Sequence, residues 1–298
     1  MKFISGSSNL SLTKSIADKL GLPIIDCQIS KFGNKEKRVW IKDKVRGENV
    51  TLVQSFSHNV DEVIIESLLI VDALERAGAK EVNLVVPWMG YSFQDKVFRS
   101  GEPIAAKVVA NIISNSYVKR VFLLDLHNKS IPGFFSIPTD HVSALDKFVD
   151  YVKENFDLEN TIAASPDFGG LKRAKIFANE LGLQLANVDK RRDLETGKVI
   201  ASNLYGQVKG KIILIFDDCI MSGRTVVEIA KFLKENEAKE VHFFATHAVF
   251  CSGAIEKIDS SQVDSVVVTN SIYHHKINDK IKTIDIGDIF AEALEKWL

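Results

Sequence analysis

Residues 212–226 read IILIFDDCIMSGRTV. Ile212 to Phe216 form an unbroken apolar run of strand length, Asp217 and Asp218 stand at its carboxyl end, and Ser222-Gly223-Arg224-Thr225 opens a stretch of helical periodicity. A strand that is apolar on both faces belongs to a parallel sheet covered by helices, and such open α/β sheets take their ligands at the carboxyl ends of the strands. The loop's chemistry is readable from its residue types. Gly223 lets the backbone turn tightly, hydroxyls and N–H groups at the helix start can hold a terminal phosphate, and the two carboxylates can accept sugar hydroxyls. Helix capping alone accounts for Ser222 or Thr225 but not for two adjacent acids. The stretch therefore predicts a phosphorylated sugar as ligand.

The same rhythm extends in both directions. Upstream come TLVQSF (51–56), a helix from Glu62 to Gly78, VNLVVP (82–87), a helix from Ile104 to Ser116 and VFLLDLH (121–127). The second half has TIAASPD (161–167), a helix from Gly170 to Leu181, the strand quoted above, a helix from Thr225 to Asn236, VHFFATH (241–247) and a last strand from Val263 to Val268. A final helix is expected from Ile284 to Leu298. Alternation of this kind predicts an α/β fold with mainly parallel sheets flanked by helices. Ala73 to Tyr91 aligns with Phe232 to Phe250 at a constant offset, which points to a duplicated domain. Only the second copy carries paired acids and a glycine turn; the corresponding segment of the first reads QSFSHNVDE (54–62).

Composition sets the outer bounds. A chain of 298 residues exceeds the size at which one core keeps growing, so two domains are expected, 1–143 and 144–283, with the helix at about 284–298 packing near the first. Apolar residues at 46% and charged residues at 26% are ordinary for a globular protein, and a formal charge of −1 supplies no general field for nucleic acid or an anionic membrane. Cys27, Cys219 and Cys251 lack metal-ligand spacing and fit a reducing compartment. No apolar run approaches the roughly 18–20 residues of a membrane span, so a cytoplasmic protein is expected.

Other segments carry chemistry. In VDKRRDLETGKV (188–199), Lys190, Arg191 and Arg192 follow a strand, and the polar stretch to about Asn203 reads as a mobile cationic loop, suited to a transition state with charge spread over moving phosphoryl oxygens. SPDFGG (165–170) is a strand end followed by glycines at a helix start, and VFLLDLHNKSIPGFF (121–135) places His127 at another strand end. A charge run by itself is usually solvated surface, and a lone histidine is usually structural.

Together these motifs resemble two nested families. The acidic loop looks like the phosphoribosyl-binding loop of type I phosphoribosyltransferases, with Ser222 and Arg224 in place of a threonine and a glycine and Met221 where many members carry an acid. Nearly the whole chain, from GSSNLSL and VRGENV onward, resembles the ribose-phosphate pyrophosphokinases. That resemblance implies two phosphoribosyltransferase-like domains, a magnesium-dependent transfer of pyrophosphate from ATP to ribose 5-phosphate, and a homo-oligomer built on dimers. It further implies catalytic roles for Lys190, Arg192 and His127, magnesium held by His127 and Asp167, and ribose 5-phosphate bound by Asp217, Asp218, Ser222, Gly223, Arg224 and Thr225.

GYSFQDKVFRSGEPIAAKVVA (90–110) resembles the family's nucleotide-binding stretch at Gln94, Asp95, Arg99 and Glu102, with Phe93 where the family has arginine. KFGNKE (31–36) resembles its base-contact loop at Phe32 and Glu36, with Asn34 for aspartate and Lys35 for glycine. Phe32, Asn34, Glu36, Gln94, Asp95, Arg99 and His127 are accordingly the expected nucleotide contacts, Phe32 reaching the site of a neighbouring subunit. A base-binding phosphoribosyltransferase would need neither the Lys-Arg-Arg segment nor the nucleotide segments. A non-catalytic or altered-donor synthetase-associated subunit is the other alternative, kept open by Asn34, Lys35, Phe93 and Met221.

Overall fold

The structure, a computed structural model, describes residues 1–192 and 199–297, and the side chains among them outside 189–202. The chain divides into two compact units. Unit 1 comprises Met1–Ser143, Ser271–Tyr273 and Asp285–Leu298, and unit 2 comprises Ala144–Asn270 and His274–Ile284.

In unit 1 the elements run β1 (Lys2–Ser5), α1 (Leu10–Leu20), β2 (Cys27–Lys31), β3 (Lys37–Ile41), β4 (Asn49–Val53), α2 (Val60–Arg76), β5 (Glu81–Val86), α3 (Ala105–Ser114), β6 (Val118–Leu124) and β7 (Thr139–Val142). Among the described residues the sheet order is β1-β4-β5-β6-β7 with every pairing parallel, and β2 and β3 form a separate antiparallel hairpin. Local chemistry sets the ends of α1. The Asn9 side chain accepts a hydrogen bond from the N–H of Leu12, and Gly21 turns left-handed just past the last residue. The core gathers Ile4, Leu52, Phe56, Ile70, Leu84 and Leu123, contributed by strands, by the segment after β4 and by one face of α2.

Unit 2 runs α4 (Leu145–Asn155), β8 (Thr161–Ser165), α5 (Leu171–Leu181), β9 (Leu185–Arg192), β10 (Val199–Tyr205), β11 (Ile212–Ile220), α6 (Arg224–Glu235), β12 (Glu240–Ala248), α7 (Ala254–Asp259), β13 (Ser265–Thr269) and β14 (Ile281–Ile284). Its sheet order is β10-β9-β8-β11-β12-β13-β14, parallel throughout except between β9 and β10. Ile213, Ile215, Ile229 and Phe243 are buried on one face of this sheet. Phe177 stacks on Phe216 at 4.8 Å, and Phe148 meets the same ring edge-on at 5.4 Å. Burial on both faces is what the unbroken apolar run of β11 requires.

The two units share one plan. Strands β1, β4, β5, β6 and β7 of the first correspond in order to β8, β11, β12, β13 and β14 of the second. In each, a hairpin is inserted between the first helix and the second strand. It stands apart as β2–β3 in unit 1 and extends the sheet as β9–β10 in unit 2.

The stretch from Lys190 to about Asn203 was expected as an irregular loop, but β9 continues through Arg192 and pairs antiparallel with β10, Arg192 opposite Val199. The β-branched start of VIASNLY supplies the strand propensity that the polar reading overlooked. Residues 193–198 of that segment lie outside the described residues.

The chain's last helix, α8 (Gly287–Glu295), packs on α1 within unit 1. The approach is close: a Cβ on Gly287 would stand 2.1 Å from Ser15 Oγ, which itself donates to Asp285. Beyond the helix, the Arg120 guanidinium lies 3.5 Å from the centre of the Trp297 ring. Among the described residues no helix is long and apolar enough to cross a membrane.

Candidate active site

In unit 2 the site grows from the carboxyl ends of the adjacent parallel strands β8 and β11. Asp217 and Asp218 follow the buried Phe216, and Asp218 is only 6% exposed. Each carboxylate accepts the next residue's backbone N–H, Asp218 N to Asp217 Oδ1 and Cys219 N to Asp218 Oδ1, both at 2.9 Å. Two carboxylates so close, one buried and the other partly so, are favoured by a cation beside them. Arg173, in the first turn of α5, provides it: one guanidinium nitrogen lies 2.7 Å from Asp217 Oδ1 and another 3.1 Å from Asp218 Oδ2. Burial first, and then the charge of Asp218, push the Asp217 carboxyl up to about 7 against the pull of Arg173. Burial also pushes the Cys219 thiol well up, with the two acids adding to it, so it remains a protonated thiol and not a nucleophile.

After β11 the backbone turns through Met221, Ser222 and Gly223 into α6. The N–H groups of Phe250 and Cys251 donate to the carbonyls of Ile220 and Met221 and hold the turn in place. Gly223 is left-handed at φ 72° and packs so tightly that a Cβ would lie 3.1 Å from the carbonyl oxygen of Ala254. Gly223, the N-cap, has no side chain to cap the helix, an arrangement in which helix N–H groups can serve a phosphate. Arg224 lines a small cleft of about 160 Å³ with Val227, Glu228, Lys257 and Ser260.

Asp167 lies in the short segment between β8 and α5. Its Oδ1 accepts the N–H of Gly170 at 2.9 Å, and its carbonyl accepts the Ser165 hydroxyl at 2.6 Å, so the SPDFGG segment is locked by its own polar groups. Lys190, Arg191 and Arg192 form the end of β9 as backbone; their side chains lie outside the described residues.

Unit 1 brings together a second set. The His127 ring lies 4.5 Å from that of Phe93, which in turn lies 5.9 Å from Trp88. The Asn128 amide donates to the Asp95 carboxylate beside them. The backbone before His127 is fixed by His141 on β7, whose Nε2 accepts the N–H of Leu126 at 2.9 Å. Burial lowers the His141 pKa, which favours the neutral ring able to accept that bond. Gln94 is tied through its backbone, its N–H donating to Tyr91 and its carbonyl accepting from Ala106, while Arg99 N–H donates to the Glu102 carboxylate. Phe32 and Glu36 close the turn of the β2–β3 hairpin through a backbone hydrogen bond, and Asn34 Oδ1 accepts the N–H of Glu36. Phe32 is 52% exposed, with the Arg38 guanidinium 5.7 Å from its ring centre.

Sequence reasoning missed Arg173, His141 and Asn128. Arg173 sits in LKRAK, which reads as solvated charge, and the only hint was that two adjacent acids at a buried strand end must find a cation.

Comparison with known proteins then decides the family. The N-terminal domain of ribose phosphate pyrophosphokinase matches residues 1–116, and the phosphoribosyl synthetase-associated domain matches residues 195–297. A ribose-phosphate pyrophosphokinase of Fusobacterium nucleatum is 41% identical over 299 aligned residues, covering 99% of this chain and 94% of that protein. The chain belongs to the ribose-phosphate pyrophosphokinases. The pyrophosphokinase of Thermotoga maritima is 38% identical, with 99% of this chain and 94% of that protein covered. Among solved structures, a phosphoribosylpyrophosphate synthetase of Mycobacterium smegmatis superimposes with a TM-score of 0.92 at 29% identity, over 99% of this chain and 98% of that one. A member of this pyrophosphokinase family is an enzyme, a transferase of diphosphate groups, and full-length similarity favours that reading over a synthetase-associated subunit.

Proposed function

We propose that the chain moves the pyrophosphoryl group of ATP to the C1 hydroxyl of ribose 5-phosphate, giving 5-phosphoribosyl 1-pyrophosphate and AMP. The observation that carries the reading is the acid pair followed by a left-handed glycine and an uncapped helix start, at the carboxyl end of β11. Asp217 and Asp218 receive the ribose hydroxyls, and the turn from Ser222 to Thr225 receives the 5-phosphate. The C1 hydroxyl attacks the β-phosphorus in line and AMP leaves. Lys190 and Arg192, at the end of β9, neutralise the charge that develops on the moving oxygens.

The two expected magnesium ligands, Asp167 of unit 2 and His127 of unit 1, differ in how well each suits the ion. Asp167 offers an oxygen ligand whose orientation is fixed by Ser165 and Gly170, whereas the nitrogen of His127 is a second choice for so hard a cation. Among the described residues no group of three or more His, Cys, Asp or Glu side chains converges on one point, so nucleotide phosphates and water would complete the coordination. When bound, the ion would supply charge neutralisation at phosphate oxygens.

On the donor side, Phe32, Asn34 and Glu36 at the hairpin turn and Gln94, Asp95, Arg99 and His127 on the Phe93 segment contact the nucleotide. The exposure of Phe32 and Trp40 on one hairpin supports a homo-oligomer built on dimers in which this hairpin is covered and serves a neighbour's nucleotide site. The location is cytoplasmic.

The test is AMP release with ribose 5-phosphate, magnesium and each of ATP, GTP and CTP. Turnover is expected with ATP; no turnover with any donor refutes the reading.

A further inference from the structure

Arg173 is the one feature of the acidic site that neither substrate chemistry nor helix capping explains. It extends from the first turn of α5, and the residue just before that helix, Gly170, donates its N–H to the Asp167 carboxylate. From this fixed base the guanidinium places separate nitrogens on two different carboxylates, on Asp217 Oδ1 and Asp218 Oδ2. The ion pair is well sheltered, with side-chain exposures of 28% for Arg173, 24% for Asp217 and 8% for Asp218. A planar fork matched to two carboxylates fixes their orientation as well as their charge, which an ammonium cannot do.

We propose that Arg173 is a positioning residue for the acceptor: its guanidinium clamps Asp217 and Asp218 in the charged, aimed arrangement that receives the hydroxyls of ribose 5-phosphate. The inference rests on the reading of the acidic loop as the ribose site. Its logic is one of charge. The sugar brings neutral hydroxyl donors, so it cannot replace the cation that favours ionisation of two adjacent carboxylates in a sheltered site. Asp217 is faced by Asp218 on its own strand and by Arg173 from α5, while Cys219 is faced by both acids and by Cys251. Arg173 is thus a cation shared by both acids, and its removal lets repulsion and burial favour a protonated acid that accepts poorly.

The experiment compares Arg173→Gln, Arg173→Lys and the parent enzyme by kcat and KM for ribose 5-phosphate from pH 7 to 9, a range in which the sugar phosphate stays dianionic. Arg173→Gln is expected to raise KM about tenfold at pH 7, with the defect shrinking steadily as pH rises, because one unit of pKa shift corresponds to about tenfold in the ionised fraction. Arg173→Lys is expected to keep the parental pH profile with KM raised about threefold, since the charge remains and the fork is lost. A Gln variant whose KM runs parallel to the parent at every pH would reduce Arg173 to a structural ion pair and overturn the proposal. Should that variant not fold, the Lys variant decides, and a KM equal to the parent's throughout would show that no clamp is needed. Calorimetric binding of ribose 5-phosphate to Asp217→Asn separates the two levels: undiminished binding there refutes the ribose-site reading itself, whatever the Arg173 variants do.

Discussion

The ammonium of Lys37 lies 2.5 Å from a carboxylate oxygen of Glu66, a side chain with no exposure to solvent. Glu66 also accepts from the N–H and hydroxyl of Ser7 and from the amide of Gln54, so four donors converge on it from β3, the segment after β1 and the segment after β4. This buried network ties the β2–β3 hairpin to α2. Lys37→Met should destabilise the protein by about 3 kcal/mol, the low end for breaking a buried pair, because the Ser7 and Gln54 bonds remain. Urea denaturation measures it, and Glu66→Gln in the same background should recover part of the loss. A loss under about 0.5 kcal/mol, the scale of an exposed pair, would mean that water already reaches Glu66.

At the tip of the same hairpin, Lys35 takes a left-handed conformation at φ 73°. A side chain there costs roughly 1–2 kcal/mol, of which the greater freedom of an unfolded glycine offsets about 0.5–1. Lys35→Gly should therefore stabilise the protein by about 0.5–1 kcal/mol in the same assay. A destabilised variant would show that the Lys35 side chain makes a compensating contact.

How far the sequence reached differs between the two units. The strand at Ile212 and the helices around it were legible because both faces of a parallel sheet are apolar and a glycine marks the turn. The β2–β3 hairpin was not, since KRVWI alternates weakly and its faces remain half-exposed. Strands β1, β7 and β14 are four residues long, below the length at which periodicity separates a strand from its surroundings. The acid pair at the end of β11 could be read from its adjacency alone. Arg173 could not, because its pairing with them follows from where α5 crosses the sheet, and no local pattern encodes that crossing.

The Asp217 carboxyl, pushed up to about 7, gives two effects of opposite sign. An acid whose folded value exceeds its unfolded one favours folding while protonated; that contribution is fully present below about pH 4 and is lost as pH rises through about 7. Thermal stability of the ligand-free protein should lose this contribution over that window. Affinity for ribose 5-phosphate should rise through pH 7, as the carboxylate able to accept hydroxyls forms. Asp217→Asn should remove both dependences and leave only the limb of the sugar phosphate, near pH 6. A calorimetric affinity profile identical in parent and variant would sink this assignment.

Lys190 stands at the end of β9, and the proposed role places its charge on the transferring group. Lys190→Ala should lower kcat by about two to three orders of magnitude, the usual effect of removing a group that acts on developing charge, with ribose 5-phosphate binding nearly unchanged. Steady-state kinetics with calorimetry separates these quantities. Collapse of ribose 5-phosphate binding would move Lys190 from transition-state stabilisation to the acceptor site.

Gly223 and Gly253 form a matched pair for testing the phosphate turn. Both are left-handed, at φ 72° and 77°, and each immediately precedes a helix, so Ala at either carries a similar conformational penalty of about 1 kcal/mol. They differ in what a Cβ would meet. At Gly223 it lies 3.1 Å from the carbonyl oxygen of Ala254, a residue whose N–H is held by Cys251, so the turn must give way. At Gly253 the nearest atom is the far end of Lys257, 4.0 Å away. If the turn receives the 5-phosphate as proposed, displacing it by a few tenths of an ångström would misalign the N–H groups that bind it. Gly223→Ala should therefore raise KM for ribose 5-phosphate about tenfold or more, while Gly253→Ala loses similar stability with KM within about twofold of the parent. Equal KM values in the two variants would remove the backbone of this turn from phosphate recognition and leave the acid pair as the anchor of the sugar.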